Sequence, residues 1–363
     1  MSMKTPFSKF RTFIAIAALL PVIGLLATGC GDTFNVNDLG NTPLQPTYGD
    51  TTYVLQSPVW TGFNNPTDII VGNEPFIYIA DAGNNRIVML DISGALTGHS
   101  GFIKNPVAIA QDHRLNLIVC AELDTTINGQ AATYGAIYKI DMYAAQHNIA
   151  AAAIKLVYFE PTNTMRRYTG VAVLADNKYY VARTGPNNSS IIDPDDAVMM
   201  FDSHDAVRSR EYWPALSVDG TGLATITQPT SIATFSKVTT DFVFTQTGTK
   251  SYFKTQWMTL RSSGDVTQWE SYFTPSSDGS VDFLKVNLFK QPEDVTVDGS
   301  GNIYVVDAGL NQMVRFNSSG LISQIIKEGL NHPSGVAYFD KTLYIADAGS
   351  NRILRYILST DIR

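Results

Sequence analysis

Two carboxylates stand at the same place in a recurring segment of this 363-residue chain: Asp68 in Asn65-Pro66-Thr67-Asp68 and Asp294 in Gln291-Pro292-Glu293-Asp294. Two positions after the anchor residue, successive copies read Asp68, Ala108, Gly170, Ser231, Asp294 and Gly335. Oxygens from such a pair could contribute to a Ca²⁺ site, but that ion takes about six to eight oxygens, so two carboxylates fall short without backbone or loop donors. A second acidic position recurs at the end of an apolar run, as Asp81, Asp307 and Asp347, each followed by Ala-Gly. There a carboxylate can accept local backbone N–H bonds and pin a turn, with Arg86 and Arg352 placed to pair with neighbouring acids. The corresponding positions of the other copies read Glu122, Arg183 and Thr245. Glu122 and Arg183 depart from the pattern, and with Asp68 and Asp294 they are the candidate ligand- or partner-binding residues.

Other chemistries are poorly supplied, and no catalytic residue and no metal ligand set is assigned. The five histidines (His99, His113, His147, His204, His332) are scattered, so a three-His zinc site is not expected. No serine-elbow or cysteine–histidine signature is present. Asp193-Pro194-Asp195-Asp196 reads as a solvated acid run, and Asn188-Ser189-Ser190 fits a glycosylation sequon. No cofactor is expected, with Ca²⁺ the one option that Asp68 and Asp294 leave open. The formal charge is −7, and three of the 26 basic residues (Lys4, Lys9, Arg11) sit near the N-terminus, which leaves the remainder more acidic still. A nucleic-acid partner, which needs a basic face, is therefore not expected.

The elements that carry these residues begin with an export signal. Basic Lys4 to Arg11 precede an apolar run from Phe13 to Leu26, broken by Pro21. The run ends in Leu26-Ala27-Thr28-Gly29-Cys30, which resembles a bacterial lipobox, with the large apolar residue four rather than three positions before the cysteine. The resemblance implies lipidation of Cys30 after removal of residues 1–29 and a place in the cell envelope, with membrane contact through the lipid alone. Gly31 is not the Asp that retains enterobacterial lipoproteins at the inner membrane, so the outer membrane is expected. Residues 30–51 are polar and rich in Gly, Pro and Asn, a tether reaching at most about 70 Å. The other cysteine, Cys120, lies in the apolar run Leu117-Ile118-Val119-Cys120 and reads as a core residue.

From residue 52 to 363 the chain repeats itself. Asn65-Pro66-Thr67-Asp68-Ile69 is echoed by Gln291-Pro292-Glu293-Asp294-Val295 and His332-Pro333-Ser334-Gly335-Val336. Each is followed by an apolar strand and turn: Tyr78-Ile79-Ala80-Asp81-Ala82-Gly83-Asn84-Asn85-Arg86, Tyr304-Val305-Val306-Asp307-Ala308-Gly309-Leu310-Asn311 and Tyr344-Ile345-Ala346-Asp347-Ala348-Gly349-Ser350-Asn351-Arg352. Weaker copies start at Asn105-Pro106, Tyr168-Thr169 and Gln228-Pro229, so the anchors fall at 66, 106, 168, 229, 292 and 333. A minimum spacing near 40, with short β-branched and aromatic runs, is the mark of four-stranded propeller blades. The quoted segments resemble the NHL repeat, and the resemblance implies an all-β, six-bladed β-propeller. The last copy has only three strands before the chain stops, while Thr52-Tyr53-Val54-Leu55 stands before the first blade. Joining these two ends closes the ring and removes two exposed edges.

Insertions fall between second and third strands (Glu122 to Tyr134, Thr184 to Asp196) and between outer and inner strands (Ala215 to Gln228, Pro275 to Gln291). Both kinds of connection emerge on one face, where long loops on a rigid scaffold bind ligands. Trp213, Trp257, Trp269 and Tyr272, alternating with polar residues, read as core between blades. The function expected is a non-catalytic binding or scaffold module that meets a protein or glycan partner through the loop-rich face. The alternative is a metal-dependent (Ca or Zn) hydrolase or lyase at the channel mouth.

Overall fold

The computed structural model describes residues 52–190, 192–208, 225–235, 239–263, 266–274 and 281–361. The expected leader, Cys30 and the tether lie outside the described residues, as does Trp213. The strands are short and rich in β-branched and aromatic residues, and they assemble into six antiparallel sheets. The first strand, β1 (Tyr53–Thr61), precedes blade 1, made of β2 (Pro66–Val71), β3 (Ile77–Asp81), β4 (Arg86–Leu90) and β5 (Leu96–His99). Blade 2 holds β6 (Lys104–Gln111), β7 (Asn116–Ile127), β8 (Gln130–Asp141) and β9 (Ile154–Phe159). Blade 3 shows β10 (Arg167–Val173), β11 (Tyr179–Thr184) and β12 (Ala197–Phe201), and residues 209–224 beyond it are outside the described set. Blade 4 is β13 (Pro229–Thr234), β14 (Phe242–Gln246), β15 (Thr255–Ser263) and β16 (Val266–Ser271). Blade 5 is β17 (Pro292–Val297), β18 (Ile303–Asp307), β19 (Gln312–Phe316) and β20 (Ile322–Ile326).

Blade 6 closes the ring. Its order is β1, β23 (Arg352–Leu358), β22 (Thr342–Asp347), β21 (Pro333–Phe339), so the N-terminal strand is the outer strand of the last blade. Tyr53 pairs with Leu358 and Thr61 with Arg352. The expected closure is therefore observed, over a strand that runs on from Leu55 to Thr61.

Among the described residues each seam between neighbouring blades has its own core. Tyr78, Met89, Ile109 and Leu117 fill the seam of blades 1 and 2, and Trp60, Ile79, Ala337 and Ile353 that of blades 6 and 1. Trp269 packs between blades 3 and 4 and Trp257 between blades 4 and 5, as read from their alternation. This explains why the second strands are buried on both faces, as in Ile77–Asp81 and Ile303–Asp307. Both faces of every blade meet a neighbour.

Two rings of hydrogen bonds stitch these seams near the ends of the inner strands. One position after the anchor, a hydroxyl donates to the next blade's anchor carbonyl: Thr67 to Pro106 (2.8 Å), Thr169 to Pro229 (2.7 Å), Thr230 to Pro292 (2.7 Å) and Ser334 to Pro66 (2.6 Å). The second ring uses the Asn that ends each Asp-Ala-Gly turn. Asn85, Asn311 and Asn351 adopt left-handed φ of 55°, 49° and 54°, which Asn tolerates. Their Oδ1 atoms accept the N–H of Asn105, His332 and Asn65 in the following blade.

Candidate functional site

The repeated turn acid is a structural hub. Asp81 accepts the N–H of Asn64 (2.7 Å), Asp307 that of Lys290 (2.7 Å) and Asp347 that of Asn331 (2.5 Å), each two residues before an anchor. Arg86 and Arg352 pair with Asp81 and Asp347 through Nε at 2.8 Å. The ladders also shift two of the expected equivalences. In blade 4 the residue opposite Pro229 is Gln246 rather than Thr245, and its Oε1 accepts the N–H of Thr227 at 2.8 Å. In blade 2 the pair Ala108–Cys120 matches Asp68–Ala80, so Ala121 takes the place of Asp81. Glu122 lies one step beyond, and it faces elsewhere.

Where it faces is the channel mouth, on the side where the inner strands begin. A cavity of about 440 Å³ opens there, lined among others by Asp68, Glu122, Arg167, Glu293, Asp294 and His332. At its floor the inner strands converge on a waist. A Cβ on Gly335 would stand 2.7 Å from Asp68 Cα, and one on Gly170 would stand 2.8 Å from Ser231 Cα, so the strands touch backbone to backbone there. Asp68, Ala108, Ser231 and Asp294 line this waist and also a second cavity of about 230 Å³ beyond it.

The two waist carboxylates are 8% exposed. Asp68 accepts the N–H of Ile69 (2.6 Å) and, across the seam, that of Ile109 (2.7 Å). Asp294 accepts the hydroxyl of Ser231 (2.5 Å) and the N–H of Val336 (2.7 Å). Burial raises the Asp68 carboxyl well above the usual range, and the nearby charge of Asp294 opposes its ionisation further. Burial also raises Asp294, to about 6, against the hydrogen bonds that favour its charged form. Glu293 is pushed up by burial as well.

Above the waist, Arg167 approaches Glu122 through Nε at 3.4 Å, and its Nη1 donates to the carbonyls of Thr164 and Arg166, both at 2.8 Å. The mouth thus offers the Arg167 guanidinium, the Glu122 carboxyl group beside it and a floor of two carboxyls disposed to hold protons. That set can anchor a polar group and move a proton to or from it.

Three of the four candidate residues, Asp68, Glu122 and Asp294, line this one cavity. Arg183 does not. It is 2% exposed, and its N–H groups are taken by Glu160 (2.9 Å), Asp193 (2.8 Å) and the carbonyls of Asp195 (3.1 Å) and Pro194 (2.6 Å). With Arg166, bound to Glu160, Asp193 and Asp195, it pins the 184–196 connection to the ring. The acid run expected to be solvated supplies these partners, and Asp195 and Asp196 are buried. The other insertion is not a loop. Residues 122–134 extend β7 and β8 as a ladder out to Ile127–Gln130, turned by Asn128 and Gly129 at φ 52° and 80°. Asn-Gly between alternating strands is the hairpin signal that marks it. Arg167 and Glu293 at the mouth carry no signal of their own in the sequence, and His332, one of the scattered histidines, joins them on the cavity wall.

The donor set also bears on Ca²⁺. Both waist carboxylates already accept N–H or O–H bonds, Ala108, Gly170 and Gly335 offer no side-chain oxygen, and no group of three His, Cys, Asp or Glu converges among the described residues. Among the described residues the waist side chains alone fall short of the roughly six to eight oxygens that Ca²⁺ takes.

With fold and mouth defined, the chain is a six-bladed β-propeller. It is similar to solved structures including virginiamycin B lyase from Staphylococcus aureus (13% identity over 85% of this chain and 100% of that one, TM-score 0.50). A protein titled a putative gluconolactonase (11%, 87% and 97%, TM-score 0.55) and a calcium-binding protein, regucalcin, from Agrobacterium tumefaciens (12%, 85% and 92%, TM-score 0.53) are similar too. No protein-family model and no curated protein matches the chain. At these identities the likeness establishes the architecture. By name these neighbours are a lyase, a putative gluconolactonase and a calcium-binding protein.

Proposed function

We propose that the channel mouth is an acid–base site that hydrolyses, or eliminates from, a small polar substrate of the lactone or ester type. The observation that carries this reading is the pair of buried carboxyls, Asp68 and Asp294, at the floor of a cavity of about 440 Å³. Groups whose environments raise their pKa within a cleft are suited to proton transfer near neutral pH. In this reading Asp294 takes a proton from the attacking water or from the substrate, and Asp68 gives one to the departing oxygen. Arg167 anchors the substrate's anionic or carbonyl end, and Glu122 holds the guanidinium in place. The similarly folded lyase and putative gluconolactonase support the reaction class. If Cys30 carries a lipid, the reaction takes place in the cell envelope.

The test is turnover of a panel of small lactones and esters, followed by proton release, with Asp294→Asn and Arg167→Met alongside the wild type. The expected result is turnover by the wild type, a loss of at least about a hundredfold in kcat for Asp294→Asn, and a raised KM for Arg167→Met. Turnover that survives Asp294→Asn unchanged refutes the assignment.

A further inference from the structure

The two waist carboxylates are chemically identical but not identically held. Asp68 receives two backbone N–H groups, from Ile69 and Ile109, which the fold fixes in place. Asp294 has the matching pair, the N–H of Val295 beside it and that of Val336 in the neighbouring blade, and in addition one side-chain hydroxyl, that of Ser231 at 2.5 Å. This hydroxyl crosses the seam between blades 4 and 5. Its backbone is braced from the other side, where Gly170 leaves no room for even a Cβ. From this braced strand the Ser231 hydroxyl meets Asp294.

We propose that Ser231 is a positioning residue: by donating its hydroxyl to Asp294 Oδ1 it keeps Asp294 ionised and leaves Asp68 as the carboxyl that holds its proton. The assignment of base and acid made above is thus set by one hydroxyl, and this inference rests on that reading of the site. A hydrogen bond to a charged acceptor favours the charged form. The remaining titratable groups around the waist do not make the distinction themselves. Glu293 opposes ionisation of Asp294, the wrong direction. The Cys120 thiol, on the β7 strand behind Asp68, is held neutral by burial. Glu122, Arg167 and His332 stand on the cavity wall above.

The experiment is carbon NMR of the chain labelled at aspartate carboxyl carbons, titrated with pH. Asp68→Asn and Asp294→Asn assign the two resonances, and wild type is compared with Ser231→Ala and Ser231→Cys. In the wild type Asp294 is expected to ionise at lower pH than Asp68. Ser231→Ala is expected to raise the Asp294 midpoint by about one pH unit, and Ser231→Cys, a weaker donor, by less. A chain-wide loss of folding would move every aspartate, whereas this change is confined to the pair. An Asp294 midpoint unmoved in Ser231→Ala, or lying above that of Asp68 in the wild type, overturns the inference. The titration needs no substrate, so it stands or falls apart from the turnover panel. If a substrate turns over, the acidic limb of kcat/KM moves upward with the Asp294 midpoint in Ser231→Ala.

Discussion

Asp347 is the sharpest place to test how the ring is held. Its carboxylate is fully buried in the closing blade, with one oxygen accepting the N–H of Asn331 at 2.5 Å and the other accepting Arg352 Nε at 2.8 Å. Asp347→Ala removes both acceptors. The Asn331 N–H loses a charge-assisted bond inside the protein, at a cost of about 1.5–3 kcal/mol. Arg352 is 29% exposed and keeps a bond to the Gly329 carbonyl, so its share is at most about 1 kcal/mol. The sum is roughly 2–4 kcal/mol, which for a chain of this size moves the urea midpoint by about 1 M. Asp347→Asn is the informative control, because blade 4 already runs the same contact on an amide: Gln246 Oε1 holds the Thr227 N–H at 2.8 Å. It should therefore cost about 1 kcal/mol or less. Urea unfolding followed by tryptophan fluorescence reads both. If the Ala and Asn variants unfold at the same midpoint, the buried acceptor is not what holds the turn and the reasoning fails.

Two further outcomes follow from the electrostatics. Asp68 and Asp294 have raised folded pKa values, so their neutral forms favour the fold; each contribution is full below the unfolded value and lost as pH rises through the folded one, which for Asp294 is about 6. Asp294→Asn fixes the neutral form, so the urea midpoint of the variant relative to wild type should climb between about pH 4 and about pH 7; parallel curves would contradict it. Arg183→Met removes a cation from a buried network in which Arg166 still covers Glu160. Because Asp193 is half exposed its share is small, and the cost should fall near about 2–3 kcal/mol, with faster proteolysis within 184–196. A change within about 0.5 kcal/mol would show the network to be dispensable.

What the residues disclosed was mainly what is local. Pro66, Pro292 and Pro333 with their Asp-Ala-Gly turns mark blades because each bond they make lies within one hairpin or its neighbour. Ring closure was legible from strand counting alone. Glu122 and Thr245 are out of step with the turn acids: the inner pair of blade 2 shifts by two residues between Lys104 and Ala108, and that of blade 4 by one between Pro229 and Ser231. The 122–134 hairpin carried its Asn-Gly signal, but its polar composition imitates a loop. The Ser231–Asp294 contact joins residues 63 apart in sequence, and nothing in either segment points at the other. Arg183 stood out as a departure from the repeat and is one, but its partners Glu160 and Asp193 come from segments the repeat does not describe. Composition does not distinguish a buried arginine that pins a connection from one that meets a ligand.

The blade built from both chain ends has a consequence in time. Tyr53 is among the earliest of these residues to be made, and its partner Leu358 is among the last. At typical synthesis rates the interval is roughly 15–60 s. Through that interval β1 has no ladder to join, and the seams flanking blade 6 have no second wall. The contact that completes the ring is also the one with the greatest sequence separation, the kind that slows folding. Truncating the last strand should therefore do more than shorten the protein: it withholds the partner for which the first strand has been waiting.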